Sequence, residues 1–222
     1  MSAAPVLFPA SHDFPAGHDP DPDRGEYPFG DPTDGQADPR TRLVAARFRG
    51  VMEALGLDLG DPNLADTPAR VARAWRFLFS GLEAGSEPEL RTFPNAEGYS
   101  RMVAVTGIRF HSLCAHHFLP FFGTAHVAYL PSGRLVGLSK LARTVEHFAR
   151  RPQVQERLTE QVAGFLDLRL APAGVMVVLE ARHFCMEMRG VRKAGARTTT
   201  SAVRGEFADE RRQREFLARI GR

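Results

Sequence analysis

Only two cysteines occur in this chain, and each lies beside a histidine. The first stands in Cys114-Ala115-His116-His117, and the second in His183-Phe184-Cys185 at the end of an apolar run. Any fold that puts both sulfurs to one use must carry residue 185 back to residue 114. A thiolate and an imidazole at i and i+3 share one face of a helical turn. A histidine and a cysteine at i and i+2 of a strand point to the same side of a sheet. Together the clusters offer Cys114, His117 and Cys185 as metal ligands, with His116 and His183 left over close by. Three protein ligands leave the fourth position of a tetrahedral zinc open, which is the catalytic arrangement rather than the structural one. Two other uses stay open on local spacing alone. Free cysteines are often small buried hydrophobes. A Cys114–Cys185 disulfide is the other, although no secretory signal is visible and stapled chains carry more cysteines.

At 222 residues and 43% apolar content, the chain suits one domain with appendages and a sizeable core. A net charge of +3 without a clustered basic stripe argues against a nucleic-acid partner. No apolar stretch approaches membrane-spanning length, so no membrane partner is expected. The opening Met1-Ser2-Ala3-Ala4-Pro5 has no basic or apolar leader pattern. The expected compartment is a reducing cytoplasm, where unpaired thiolates can serve zinc.

Residues 1–39 are rich in Pro, Gly and Asp without an apolar period, and read as a disordered or loosely attached arm. A helical region is expected over residues 40–97. Leu43, Val44, Phe48, Val51, Met52 and Leu55 recur at helical spacing up to Gly56, and a second helix follows Asp66-Thr67-Pro68 and runs to Ser80-Gly81 with Trp75 as a core anchor. Residues 98–222 are expected to form a catalytic domain. Its strands are Met102–Val105 with Ile108–Phe110, Phe121–Leu130, Val175–Cys185 and Thr198–Phe207. Between the strand pairs lie helices over Ser139–Arg150 and Gln153–Leu168, and a short charged helix closes the chain. The order ββααββ with short turns predicts an α+β class, an antiparallel sheet with helices on one face, preceded by N-terminal helices.

Further residues suit a charged, planar substrate. In Gly137-Leu138-Ser139-Lys140-Leu141-Ala142-Arg143, Ser139 is a natural N-cap, and Lys140 and Arg143 are spaced to lean over one face. Arg189 adds a cation beyond Cys185. Gln155 and Glu156 open a helix, and a carboxylate such as Glu156 can accept two N–H donors from the edge of guanine. Solvated helix-surface charge is the alternative use of these residues.

These strings, with Thr67-Pro68-Ala69-Arg70-Val71-Ala72, Ser112-Leu113-Cys114-Ala115-His116-His117, Arg151-Pro152-Gln153-Val154-Gln155-Glu156-Arg157-Leu158 and Met188-Arg189-Gly190, occur in an order that resembles zinc-dependent GTP cyclohydrolase I from about Arg40 to the C-terminus. The resemblance implies a tunnelling fold assembled into a homodecamer with sites at subunit boundaries. It also implies a hydrolase that opens GTP and recloses it to 7,8-dihydroneopterin triphosphate with loss of formate, the first step of pterin and tetrahydrofolate biosynthesis. It assigns zinc to Cys114, His117 and Cys185, and proton transfer to His116 and His183. Guanine recognition falls to Glu156 with Gln155, and triphosphate binding to Ser139, Lys140, Arg143, Arg189 and Arg70. Ala115 stands where such enzymes usually carry Glu, and His111 where they are commonly apolar or hydroxylic. A tunnelling-fold relative acting on another purine or pterin, and a zinc-stabilised binding protein without turnover, are the competing readings.

Overall fold

Helix α1 (Pro39–Ala54) starts where Asp38 accepts a hydrogen bond from the Thr41 backbone and Pro39 takes the first helical turn. The computed structural model describes residues 38–222, so the arm expected over 1–39 lies outside the described residues but for its last two. Gly56, at φ +73°, ends α1 as the sequence predicts: only glycine adopts that conformation freely. A single turn not foreseen from sequence, α2 (Pro62–Ala65), is capped by Asp61. Helix α3 (Thr67–Leu78) follows at the expected place. The chain divides into two compact units, one ending at Arg73 and the other running from Ala74 to Arg222.

The second unit is built on a five-stranded sheet. After the short β1 (Thr92–Pro94) come β2 (Val103–Cys114), β3 (Pro120–Leu130) and β4 (Arg134–Val136). Then follow α4 (Leu138–Ala149), β5 (Pro152–Gln153), α5 (Gln155–Leu170), β6 (Gly174–His183), α6 (Phe184–Glu187), β7 (Thr198–Gly205) and α7 (Glu210–Arg219). The sheet order is β5-β2-β3-β6-β7, antiparallel except for the parallel β5–β2 pair, and β1 and β4 form a separate ribbon. The first expected strand is longer than its apolar pattern suggested. Its interruption at Thr106-Gly107 is a bulge between Val105 and Ile108, and Gly107 sits at φ +73°.

Helices α4 and α5 bury Leu141, Val145, Phe148, Leu158, Val162, Ala163 and Leu166 against one face of the sheet, where Val127, Tyr129, Val175, Val177 and Leu179 meet them. Met176, Val178, Ala128 and Leu130 point the other way, onto Phe207 and Phe216. Helices are therefore not confined to one face, because α7 covers part of the second. That double cover is why β6 is apolar almost throughout instead of alternating. The charged residues of α7 pair among themselves and with the preceding turn, as in Arg212–Glu206 at 2.6 Å and Arg219–Glu215 at 2.7 Å. This is the solvated face its composition predicts.

Candidate metal centre and active site

Strands β2 and β6 both pair antiparallel with β3, so they run parallel to each other and end at the same edge of the sheet. Leu113 lies opposite Pro120, and His183 opposite Phe121. Cys114 closes β2 and His183 closes β6, so the two cysteine–histidine clusters meet at that edge although they are distant in sequence. Strand β5 adds Gln153 beside Cys114, which brings the start of α5, with Gln155 and Glu156, to the same place.

Cys114, His117 and Cys185 present ligand atoms that all lie within 4.8 Å of one another. Both cysteines are free thiols, so the disulfide reading is set aside. The turn after β2 carries His117 back over Cys114, with Phe118 N–H donating to the Cys114 carbonyl (2.8 Å) and His117 Nδ1 3.9 Å from Cys114 Sγ. Ala115, where glutamate is expected, gives its backbone N–H to the Gln153 carbonyl at 2.8 Å, so the turn closes through backbone groups alone. Cys185 does not sit on a strand as its apolar run predicts. The strand stops at His183, and Cys185 occupies the single turn α6, held by Arg182, whose guanidinium donates to both Glu187 oxygens (2.8 and 2.6 Å).

Burial and then the neighbouring Cys114 push the Cys185 thiol up from its ordinary range, with Arg189 opposing. Two soft sulfurs and an imidazole facing one another need a cation to hold them deprotonated, so the donor set fits a thiophilic dication. Arg189 Nη1 lies 3.2 Å from His117 Nε2; arginine only donates, so Nε2 accepts here. His116 is exposed and edge-on to His117 at 6.2 Å.

His183 stacks flat on Phe121, with ring centroids 4.7 Å apart and planes 3° apart, and its Nε2 is 2.8 Å from Gln155 Oε1. Burial lowers the imidazole below its ordinary value, and the Glu156 carboxylate opposes the shift. Glu156 is exposed, whereas Gln155 beside it is buried.

Three of the remaining predicted residues belong to α4. Ser139, Lys140 and Arg143 lie in the first turns of α4. Ser139 is not the N-cap: Gly137 holds that position, without any side-chain cap, because the helix starts two residues earlier than a Ser139 cap would set it. At the other end of α4, the Ala149 carbonyl accepts from Ser112 Oγ (2.7 Å), two residues before Cys114. Ten residues of helix, about 15 Å, separate Ser139 from that contact. Arg143 instead borders a cleft of about 300 Å³ with Ser80, Ser86, His147 and Arg150. Arg70 is exposed on α3, 3.6 Å from Asp66.

Residues 44–221 match the model of the GTP cyclohydrolase I family. The chain belongs to that family. It is 51% identical to GTP cyclohydrolase 1 of Bacillus subtilis (strain 168) over 181 residues, covering 81% of this chain and 95% of the relative. The enzyme of that name from Thermobifida fusca (strain YX) is 50% identical over 85% of this chain and 93% of its own. That from Carboxydothermus hydrogenoformans is 51% identical over 80% and 93%.

Within this GTP cyclohydrolase I family member, several supporting residues carry no local signal in the sequence. Trp75 is half-buried rather than a core anchor. Its ring lies 5.8 Å from Phe118, which also meets Phe79 at 5.5 Å, so the aromatic cluster supports the turn that bears His117. Gln153 is fully buried and donates to the Phe148 carbonyl (2.8 Å) and Gln161 Oε1 (2.7 Å), fixing the link between α4 and α5. His111 stacks on Phe122 at 5.9 Å along the sheet.

Proposed function

We propose that this chain hydrolyses and rearranges GTP to 7,8-dihydroneopterin triphosphate and formate, as the first step of pterin and tetrahydrofolate biosynthesis. The convergence of Cys114, His117 and Cys185 at one sheet edge, beside His183 and Glu156, carries the reading. The three residues would hold zinc with one position open; when bound, zinc at such a site supplies a water acidic enough to be a nucleophile at neutral pH. Ligation through His117 Nδ1 places that ring's proton on Nε2, so Arg189 must turn away and becomes free to meet a phosphate. Glu156 accepts N1–H and the 2-amino group of guanine and orients C8 toward the sulfur-lined edge. His183 and His116 move protons: protonating the imidazole ring of the base makes C8 electrophilic and the C–N bonds labile. C8 leaves as formate, and the opened ribose rearranges and recloses as the pterin ring.

Ser139, Lys140, Arg143 and Arg70 would bind the triphosphate. The helix length between Ser139 and the Ala149–Ser112 contact favours their acting on the metal edge of a neighbouring subunit. That suits a homo-oligomer, and a decamer with a tunnelling fold is proposed. Among the described residues no helix is long and apolar enough to cross a membrane, and a cytoplasmic enzyme without nucleic-acid partners is proposed. Incubation of the zinc-loaded protein with GTP is expected to release formate and a fluorescent pterin after oxidation. Zinc bound at the site without either product would overturn the reading.

A further inference from the structure

We propose that Gln155 is a positioning residue for His183, holding the imidazole proton on Nε2 and leaving Nδ1 as the nitrogen that serves the substrate. The inference rests on the proton-transfer role given to His183 above. It also removes the Gln155 side chain from guanine recognition.

Gln155 is only 1% exposed. Its amide nitrogen lies 2.9 Å from the Thr198 carbonyl, 3.2 Å from the Leu179 carbonyl and 3.1 Å from Thr200 Oγ1. Carbonyl oxygens accept and never donate. Turning the amide over would set its oxygen against two of them in a buried site, so the orientation is fixed by the backbone of β6 and the start of β7. The hydroxyls agree. Thr159 donates to the Gln155 carbonyl at 2.8 Å, so it accepts from Thr200 at 2.7 Å, and the Thr200 oxygen is left to accept from Gln155. Every donor in this network then has one direction. The atom facing His183 Nε2 at 2.8 Å must be the amide oxygen, an acceptor, and Nε2 must carry a hydrogen. The flat stack on Phe121 hinders the ring flip that would put the Cε1 carbon in the place of Nε2. With both ends of its amide engaged, Gln155 has no group left for a ligand, while the exposed Glu156 keeps its carboxylate available.

The test begins with the resting protein. Solid-state ¹⁵N spectra of histidine-labelled protein, with His183 assigned by difference against His183→Ala, should show the Nε2–H tautomer; an Nδ1–H ring overturns the proposal. Gln155→Met keeps the length and removes the polar ends. It is expected to lower kcat at least tenfold, to leave KM and the equilibrium affinity for GTP within about twofold, and to mix the His183 tautomers. A raised KM with kcat unchanged would instead make Gln155 a substrate contact and overturn the proposal. Failure of the wild-type protein to form a pterin would count against the function itself, while the tautomer spectrum would still decide the role of Gln155.

Discussion

Cys185 lies against Cys114 with burial and that neighbour raising its thiol, a pairing that is unfavourable without a cation. Cys185→Ala is therefore expected to abolish stoichiometric zinc in elemental analysis; full occupancy would remove it from the ligand set. His183 lies outside the group of three ligand residues and hydrogen-bonds to Gln155 instead, so His183→Ala should keep its zinc and lose roughly a hundred- to ten-thousand-fold in kcat, read from pterin fluorescence. Equal turnover in that variant would transfer its role to His116. At this scale the sequence was most informative, since cysteine and histidine announce their chemistry by type. The sequence pairs Gln155 with Glu156, but neighbouring positions of one helical turn point in different directions: Glu156 faces solvent and Gln155 the interior.

Elements decide how firmly that edge is held. Gly123 lies opposite Ala181 where β3 meets β6, and a Cβ there would stand 1.9 Å from the Glu180 carbonyl oxygen. Gly123→Ala should cost roughly 1–3 kcal/mol in urea unfolding by forcing the strands apart, and should weaken zinc retention because the displacement lies close to His183. An unchanged denaturation midpoint would show that the strands yield freely. Leu158 is fully buried where α5 meets the sheet, and Leu158→Ala should cost about 2–5 kcal/mol in the same measurement. Helices α4 and α5 were readable from their apolar stripes. The strand end at His183 was not, because Phe184 and Cys185 continue the apolar run while the Arg182–Glu187 pair bends the chain into a helical turn.

For the whole molecule, acid sensitivity follows from His147, which is buried, and His126, which is half-buried. His147 is lowered by burial and by Arg151, whose guanidinium donates to its Nε2 at 2.7 Å, with Glu87 and a Ser86 backbone hydrogen bond opposing. His126 is lowered by burial and by Arg222, and its Nδ1 accepts from Gly107 at the bulge. Both are held neutral in the fold, so between their folded values and the ordinary 6.5 the unfolded chain binds more protons. Stability is complete above that window and is lost as pH falls through it. The thermal midpoint should drop as pH falls from about 7 to 5, and His147→Gln should flatten the decline; a wild-type midpoint independent of pH over this range would contradict the assignment. Assembly has its own test. If triphosphate and metal residues meet across a boundary, inactive Arg143→Ala and Cys185→Ala chains that are co-assembled should regain up to about a quarter of the sites. No recovery in mixed oligomers would place both sets in one subunit.

The sequence by itself determined a set of soft donors, the two long core helices and the four main strands, because side-chain chemistry and apolar period are local properties. Only the tertiary structure decided that these groups share a site. Two strands that pair antiparallel with the same neighbour must end at the same edge, and that long-range geometry carries Cys185 to Cys114. Burial then decided which side chain of α5 meets His183 and which faces solvent, since hydrogen-bond direction is set by surroundings that no spacing rule contains.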